Sequence, residues 1–270
     1  MLSCLKSTAT RSHYNMWYAA LLAVALCFSS PAGAETFAEL LKKVEQNDVE
    51  AQFELAQMFV NGDGVLPQDD AEALKWFRKA AEQGHAVAQN NLGVMYANGR
   101  GVARDYIEAL KWFRRAASQG LATAQYNLGA CYNNGQGVAQ DYVEAFNWHR
   151  KAAAQGDADA QHDLGVMYNI GQGVKQNDEE ALKWYIKAAE QGNAGSQHNL
   201  VVLYSYGRGV AQDDVTAYSW LILALAQTGT DSPHYSLRMK LRNDLRRRLS
   251  QAKITEAERQ AEEWGKKYPK

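Results

Sequence analysis

Apolar and small residues return at helical spacing along most of this chain. In the stretch 85–120, Ala88, Leu92, Met95 and Tyr96 share one face, and after a break Ala109, Trp112, Phe113, Ala116 and Ala117 share another. That is the i, i+3, i+4 pattern of amphipathic helices. The break reads G-x-G-V at 99–102, and the same four-residue pattern stands at 62–65, 135–138, 171–174 and 207–210. Its first glycine suits a left-handed helix terminus and its second a tight turn. Each stretch therefore predicts two helices joined by a glycine loop. Trp76, Trp112, Trp148, Trp184 and Trp220 stand 36 residues apart, as do Ala73, Ala109, Ala145, Ala181 and Ala217. A fixed period of this length marks a stacked helical array. Five units follow, 48–84, 85–120, 121–156, 157–192 and 193–228, the first one residue longer in its loop.

Small residues at Gly93, Gly129 and Gly165, beside Ala88, Ala124 and Ala160, let paired helices approach closely, and large Trp and Tyr side chains fill the space between units. Each second helix opens on acids (Asp69, Asp70 and Glu72; Asp105 and Glu108; Asp178, Glu179 and Glu180). It continues into bases (Lys75, Arg78 and Lys79; Lys111, Arg114 and Arg115; Lys183 and Lys187). This order complements the helix dipole and offers i, i+3 and i+4 ion pairs, so the basic stripe reads as architecture. Residues 35–47 predict a short amphipathic helix over the exposed face of the first unit. The second helix of unit five, 218–226, loses the charged stripe and needs a cover. Residues 229–270 supply it as two basic capping helices, one capped by Ser232, the other by Thr255 with Glu258 completing a capping box.

The unit A-x-A-Q-x-x-L-G-x-x-Y-x-x-G-x-G-V-x-x-D-x-x-x-A-x-x-W-x-x-x-A-A-x-x-G, seen from Ala86 to Gly120, resembles the Sel1-like repeat, a relative of the tetratricopeptide repeat. Five copies cover about residues 48 to 228. The resemblance implies an all-α fold, a right-handed α/α superhelical solenoid of five helix pairs with N- and C-terminal capping helices. Residues 254–261 resemble the terminal helix of many such proteins. The resemblance also implies an adaptor's role in signalling, envelope assembly or host interaction.

Only 4 prolines interrupt a chain rich in helix-forming residues, in keeping with this reading. The N-terminus carries Lys6 and Arg11, then an apolar run from Met16 to Phe28, then Ala32, Gly33 and Ala34. These are the three regions of a secretory signal peptide, with cleavage expected between Ala34 and Glu35 and translation starting at Met1 or Met16. Lipidation at Cys27 is disfavoured by the bulky Leu26 before it. Removal of 1–34 leaves Cys131 alone among 3 cysteines, so the exported protein, periplasmic or secreted, holds together by packing without an internal disulfide. No stable membrane span then remains. The acidic balance of the mature chain points away from nucleic acid. Residues 35–231 hold 16 bases against 25 acids, whereas 232–270 hold 11 against 5. The basic end, with Arg246, Arg247 and Arg248, either attracts the acidic array or makes a peripheral contact with anionic membrane or a partner.

Catalysis needs a unique arrangement, and most polar features here recur in register. The glycine loops follow a helix and lack the spacing of a nucleotide-binding fingerprint. Cys131 aligns with Met58, Met95, Met167 and Leu203, an apolar core position, and His149 replaces Phe77 and Phe113 in the packing beside the tryptophans. No catalytic residue, cofactor or metal site is assigned; His162 and His198 could face one metal across neighbouring units, but no third ligand is evident. One first-helix position varies while its neighbours stay fixed: Phe53, Asn90, Tyr126, His162 and His198. Seven residues on, Asn133 and Asn169 lie on the same face. First helices line the concave surface of helical solenoids. Phe53, Asn90, Tyr126, Asn133, His162, Asn169 and His198 are therefore the candidate partner-binding ridge. The expected function is an exported protein-protein interaction scaffold rather than an enzyme. The alternatives are a weak β-lactamase or penicillin- or peptidoglycan-binding protein, like cysteine-rich relatives whose repeat cysteine pairs this chain lacks, and a binder of cell-wall glycan through the groove aromatics.

Overall fold

A computed structural model describes residues 31–62, 66–227, 229 and 232–267. Among them are thirteen helices and no strand. After α1 (Pro31–Glu45), ten helices of 13 residues follow in pairs: α2 (Val49–Asn61) and α3 (Asp70–Glu82), α4 (Ala86–Asn98) and α5 (Tyr106–Ser118), α6 (Ala122–Asn134) and α7 (Tyr142–Ala154), α8 (Ala158–Ile170) and α9 (Asp178–Glu190), α10 (Ala194–Tyr206) and α11 (Asp214–Ala226). The chain closes with α12 (Pro233–Arg248) and α13 (Gln251–Lys267). It is an all-α solenoid that packs as two compact units, one through Leu121 and one from Ala122. Most of the expected leader lies outside the described residues; α1 begins within its last positions and buries Phe37, Leu40, Leu41 and Val44.

The identical helix lengths come from identical punctuation. Asp69, Asp105, Asp141, Asn177 and Asp213 cap the second helices, each side chain accepting from two backbone N–H groups of the first turn. Those donors have no partner within the helix. The first helices end at glycines in the left-handed region, Gly62, Gly99, Gly171 and Gly207. The second glycine of the second, fourth and fifth loops does a different job. A Cβ on Gly101 would overlap the carbonyl of Asp70, and one on Gly209 would lie 2.5 Å from that of Asp178. The loop thus presses on the preceding repeat, where Arg100 pairs with Asp70 at 2.6 Å and Arg208 with Asp178 at 3.0 Å.

The helical glycines admit rings. A Cβ on Gly93 would stand 2.6 Å from Phe113, and one on Gly165 the same distance from Tyr185, so each glycine seats the aromatic residue of its own second helix. The basic stripe is architectural in the structure as well. Lys75, Lys111 and Lys183 pair with Glu72, Glu108 and Glu180 one turn back. Lys79, Lys151 and Lys187 lie 3.8, 3.8 and 4.0 Å from the ring centres of Trp76, Trp148 and Trp184, a cation–π arrangement. In the fifth repeat Leu223 stands where that lysine would, and Trp264 of α13 meets Trp220 instead, ring centres 4.5 Å apart. Ile254, Ala257 and Ala261 are buried along the same helix. The expected Thr255 cap is corrected. Ser250 takes that role, its carbonyl accepting from Ile254 N, and Thr255 sits inside α13 with its hydroxyl donating to Gln251 O at 3.1 Å. Nothing between Ser250 and Thr255 disfavours helix, so the helix starts at the earlier competent cap.

Candidate functional site

Separating a site from a repeat begins with the polar groups that recur. Each first helix buries a glutamine: Gln52, Gln89, Gln125, Gln161 and Gln197. Each side chain accepts from a second glutamine at the end of the same repeat. Gln83, Gln119, Gln155 and Gln191 donate at 2.8 Å, and Gln227 at 3.3 Å. Gln89, Gln161 and Gln197 in turn donate to Ala81 O, Ala153 O and Ala189 O of the preceding second helix. The network satisfies buried amides and ties repeat to repeat. It is architecture.

The residues of the expected ridge fare unequally. In the first unit, Phe53 is half-buried and stacks on His85 with ring centres 4.4 Å apart. Asn90 is only 8% exposed, which removes it from any open surface and corrects its place on the ridge. In the second unit, Tyr126, Asn133, His162, Asn169 and His198 are all half-buried. Asn169 donates to Asp178 at 2.8 Å, a contact inside its own repeat, and Asn133 donates to Asn134 at 3.2 Å. The basic trio Arg246, Arg247 and Arg248 is exposed. Arg247 pairs with Asp244, and Arg248 reaches Asp214 of α11 at 3.2 Å, so part of this charge holds α12 to the array.

His162 and His198 come together on one cavity of about 500 Å³. Asn199, Gln227, Ser232, Leu237 and Arg238 complete most of its wall. α8 and α10 supply the two imidazoles, and α12 closes one side. The Nδ1 atom of His162 hydrogen-bonds Ser196 Oγ at 2.8 Å, which fixes its ring plane. Burial lowers the His162 pKa, against the field of Asp159, which raises it. The Arg238 guanidinium is buried and donates to Ala224 O at 2.9 Å and Ala194 O at 3.0 Å, so it is held in place by two helices. No cluster of three or more His, Cys, Asp or Glu able to hold a metal occurs among the described residues. The cavity presents a fixed positive charge, neutral donors and acceptors, and an exposed apolar side chain. This is equipment for binding.

Five consecutive segments, 49–85, 86–121, 122–157, 158–193 and 194–228, match the Sel1 repeat. The chain belongs to the Sel1 repeat family. A crystal structure of a Sel1 repeat protein from Oxalobacter formigenes superposes with a TM-score of 0.67 at 33% identity, covering 72% of this chain and 80% of that one. A protective antigen present in uropathogenic Escherichia coli strains gives a TM-score of 0.56 at 30% identity over 85% of this chain and 56% of that one. Two fungal proteins are similar over a short stretch. They are a chitin synthase regulator of Malassezia restricta, 45% identical over 62 residues, and chitin synthase regulatory factor 3 of Schizosaccharomyces pombe, 42% identical over 65 residues. These matches take in 23% and 24% of this chain and only 4% and 7% of the relatives' length.

One cluster in this Sel1 repeat protein escapes the sequence pattern. His149, 2% exposed, lies against Tyr126 with ring centres 5.4 Å apart, and its Nε2 is 4.0 Å from the carboxylate of Asp163. The Tyr126 hydroxyl donates to that carboxylate. Burial pushes His149 down to about 4, and burial together with Asp159 pushes Asp163 up to about 6. The available signal was a substitution inside the register: His149 stands where Phe77, Phe113 and Tyr185 stand, and Asp163 where Asn91, Asn127 and Asn199 stand. Reading His149 as packing captured its burial and missed its partner.

Proposed function

We propose that this chain is an exported scaffold that holds segments of other proteins against the first-helix faces of its repeats and catalyses no reaction. The cavity between His162 and His198 carries this reading. Here two neighbouring first helices and α12 leave about 500 Å³ lined by imidazole, amide, hydroxyl and guanidinium groups, against about 210 Å³ for a smaller cavity beside Phe77 and Arg100 in the first unit. Pockets of this size with a few placed polar groups are the usual form of a recognition site. The family supports it, since Sel1 repeat proteins mediate protein interactions. The fungal relatives, by their names, regulate a chitin synthase. Export rests on the apolar run 16–28 followed by Ala32, Gly33 and Ala34. No helix among the described residues is long and apolar enough to cross a membrane.

The test is a photo-reactive residue at position 126 of the chain expressed in its native cell, with crosslinked partners identified by mass spectrometry. Discrete protein adducts in the exported fraction, on a chain that begins at Glu35, are the expected result. Absence of adducts, or nitrocefin hydrolysis by the purified protein that a single substitution abolishes, overturns the scaffold reading.

A further inference from the structure

The five first helices carry different residues at their second position: Glu50, Val87, Thr123, Asp159 and Gly195. Only the fifth has no side chain, and the cavity forms there. A Cβ on Gly195 would stand 2.9 Å from Cε1 of His162 and 3.3 Å from its Nε2. The missing side chain is thus what lets the imidazole lie over the helix terminus. It also removes a carboxylate of the kind that the preceding repeat places at Asp159.

The described residues of the wall include no Asp or Glu, although residues 35–231 carry 25 acids against 16 bases. Arg238 brings a permanent positive charge. The imidazoles of His162 and His198, the amides of Asn199 and Gln227 and the hydroxyl of Ser232 bring hydrogen-bond donors. A recess whose described wall is rich in donors and carries Arg238 suits an anion, and a carboxylate accepts several such donors at once. The recess is also where the row of first helices stops. Arg238 ties α12 to Ala194, at the start of α10, and to Ala224 in α11. A segment lying along α8 and α10 therefore meets α12 at this cavity, a position that suits a chain end. Leu237, 52% exposed, offers apolar surface beside that end.

We propose that the cavity bounded by Gly195, His162, His198 and Arg238 receives the free C-terminal carboxylate of a partner polypeptide. This rests on the scaffold reading and adds the chemistry of what is held. The direct probe is a degenerate pool of N-acetylated hexapeptides with free C-terminal carboxylates, compared with the same pool amidated at the C-terminus and with inorganic phosphate. Each is titrated into the full chain while the imidazole ¹H–¹⁵N resonances of His162 and His198 are followed. The free-acid pool should shift both rings saturably, with the amidated pool and phosphate at least tenfold weaker. Gly195→Asp should abolish the response by returning a carboxylate to the recess. Leu237→Glu, at an exposed position that leaves packing intact, should weaken it at least tenfold. Equal binding of the acid and amide pools, phosphate binding as tightly as the acid pool, or wild-type binding by Leu237→Glu each overturns the proposal. If adducts at position 126 persist at full yield in Leu237→Glu, the carboxylate proposal falls and the scaffold stands. If the wild type gives no adducts, the scaffold falls.

Discussion

His149 and Asp163 show how two buried groups conceal each other in a pH profile. Folded His149 stays neutral down to about pH 4 whereas an unfolded histidine takes up its proton near 6.5, so its contribution to stability rises with pH across that interval. Folded Asp163 keeps its proton up to about 6 whereas an unfolded aspartate loses it near 3.8, so its contribution falls with pH over nearly the same range. The slopes are opposite and largely cancel. His149→Phe restores the ring that Gly93 seats at Phe113, so the variant should fold, and it leaves the Asp163 slope uncovered. Stability of the variant relative to wild type should be greatest near pH 4 and decline toward pH 6.5, by about 3 kcal/mol at most. Urea melts at several pH values measure this, and a difference that does not change with pH contradicts it. A second position follows from capping. Asp48, His85, Asp157 and Asn193 each accept from a first-turn N–H of their helix, whereas the equivalent position before α6 is Leu121, which has no acceptor to offer. Leu121→Asp should stabilise the protein by about 1 kcal/mol, read as a higher Tm; an unchanged or lower Tm would count against it.

At the scale of elements, the G-x-G loop joins two helices and also presses one repeat onto another. The spacing of its glycines showed a turn; it did not show what the second glycine touches, because that neighbour lies about 30 residues earlier in the chain. Gly209 and Gly156 separate these effects. Both have positive φ, 68° and 95°, but a Cβ on Gly209 would collide with Asp178 and Glu179, whereas one on Gly156 meets nothing within 4 Å. Gly156→Ala should therefore cost about 1 kcal/mol, the conformational term alone. Gly209→Ala adds a steric conflict with backbone and disturbs the Arg208–Asp178 pair, and should cost about 2–4 kcal/mol. Chemical denaturation of the two variants is sufficient, and equal losses would mean that the loop does not bear on the preceding repeat. The glutamine network was hidden in a similar way. Its members recur visibly, but a period says that a residue matters to every repeat without saying which atom it meets.

For the whole molecule, the 36-residue period revealed the helix pairs and the glycine stops because both are local and repeated. What stayed illegible is what occurs once: the His149–Asp163–Tyr126 cluster, the burial of Asn90, and the cavity made by Gly195 and Arg238, which come from distant parts of the chain. The variable first-helix position includes His162 and His198, the two imidazoles that line this cavity, while Phe53, Asn90 and Tyr126 at the same position pack within the array. Packing also governs how the array ends. Each repeat is stabilised chiefly by its neighbours, so the last one depends on whatever stands in for a sixth. α13 plays that part, with Trp264 on Trp220, Ile254 and Ala257 in the core that includes Leu221, and Ser219 donating to Gln260 at 3.0 Å. Trp264→Ala leaves α11 helical but uncovers its aromatic face. Because Trp264 is itself half-buried, the loss should be about 2–3 kcal/mol, below that of a fully buried aromatic residue. Coupling between neighbours predicts where the loss appears. Amide hydrogen exchange should accelerate most in α13 and α11, less in α10, and least in α8. Uniform acceleration across α8 to α13 would instead mean that the second unit unfolds only as a whole, and that its terminal helix is part of one cooperative core and not a cap on a stack.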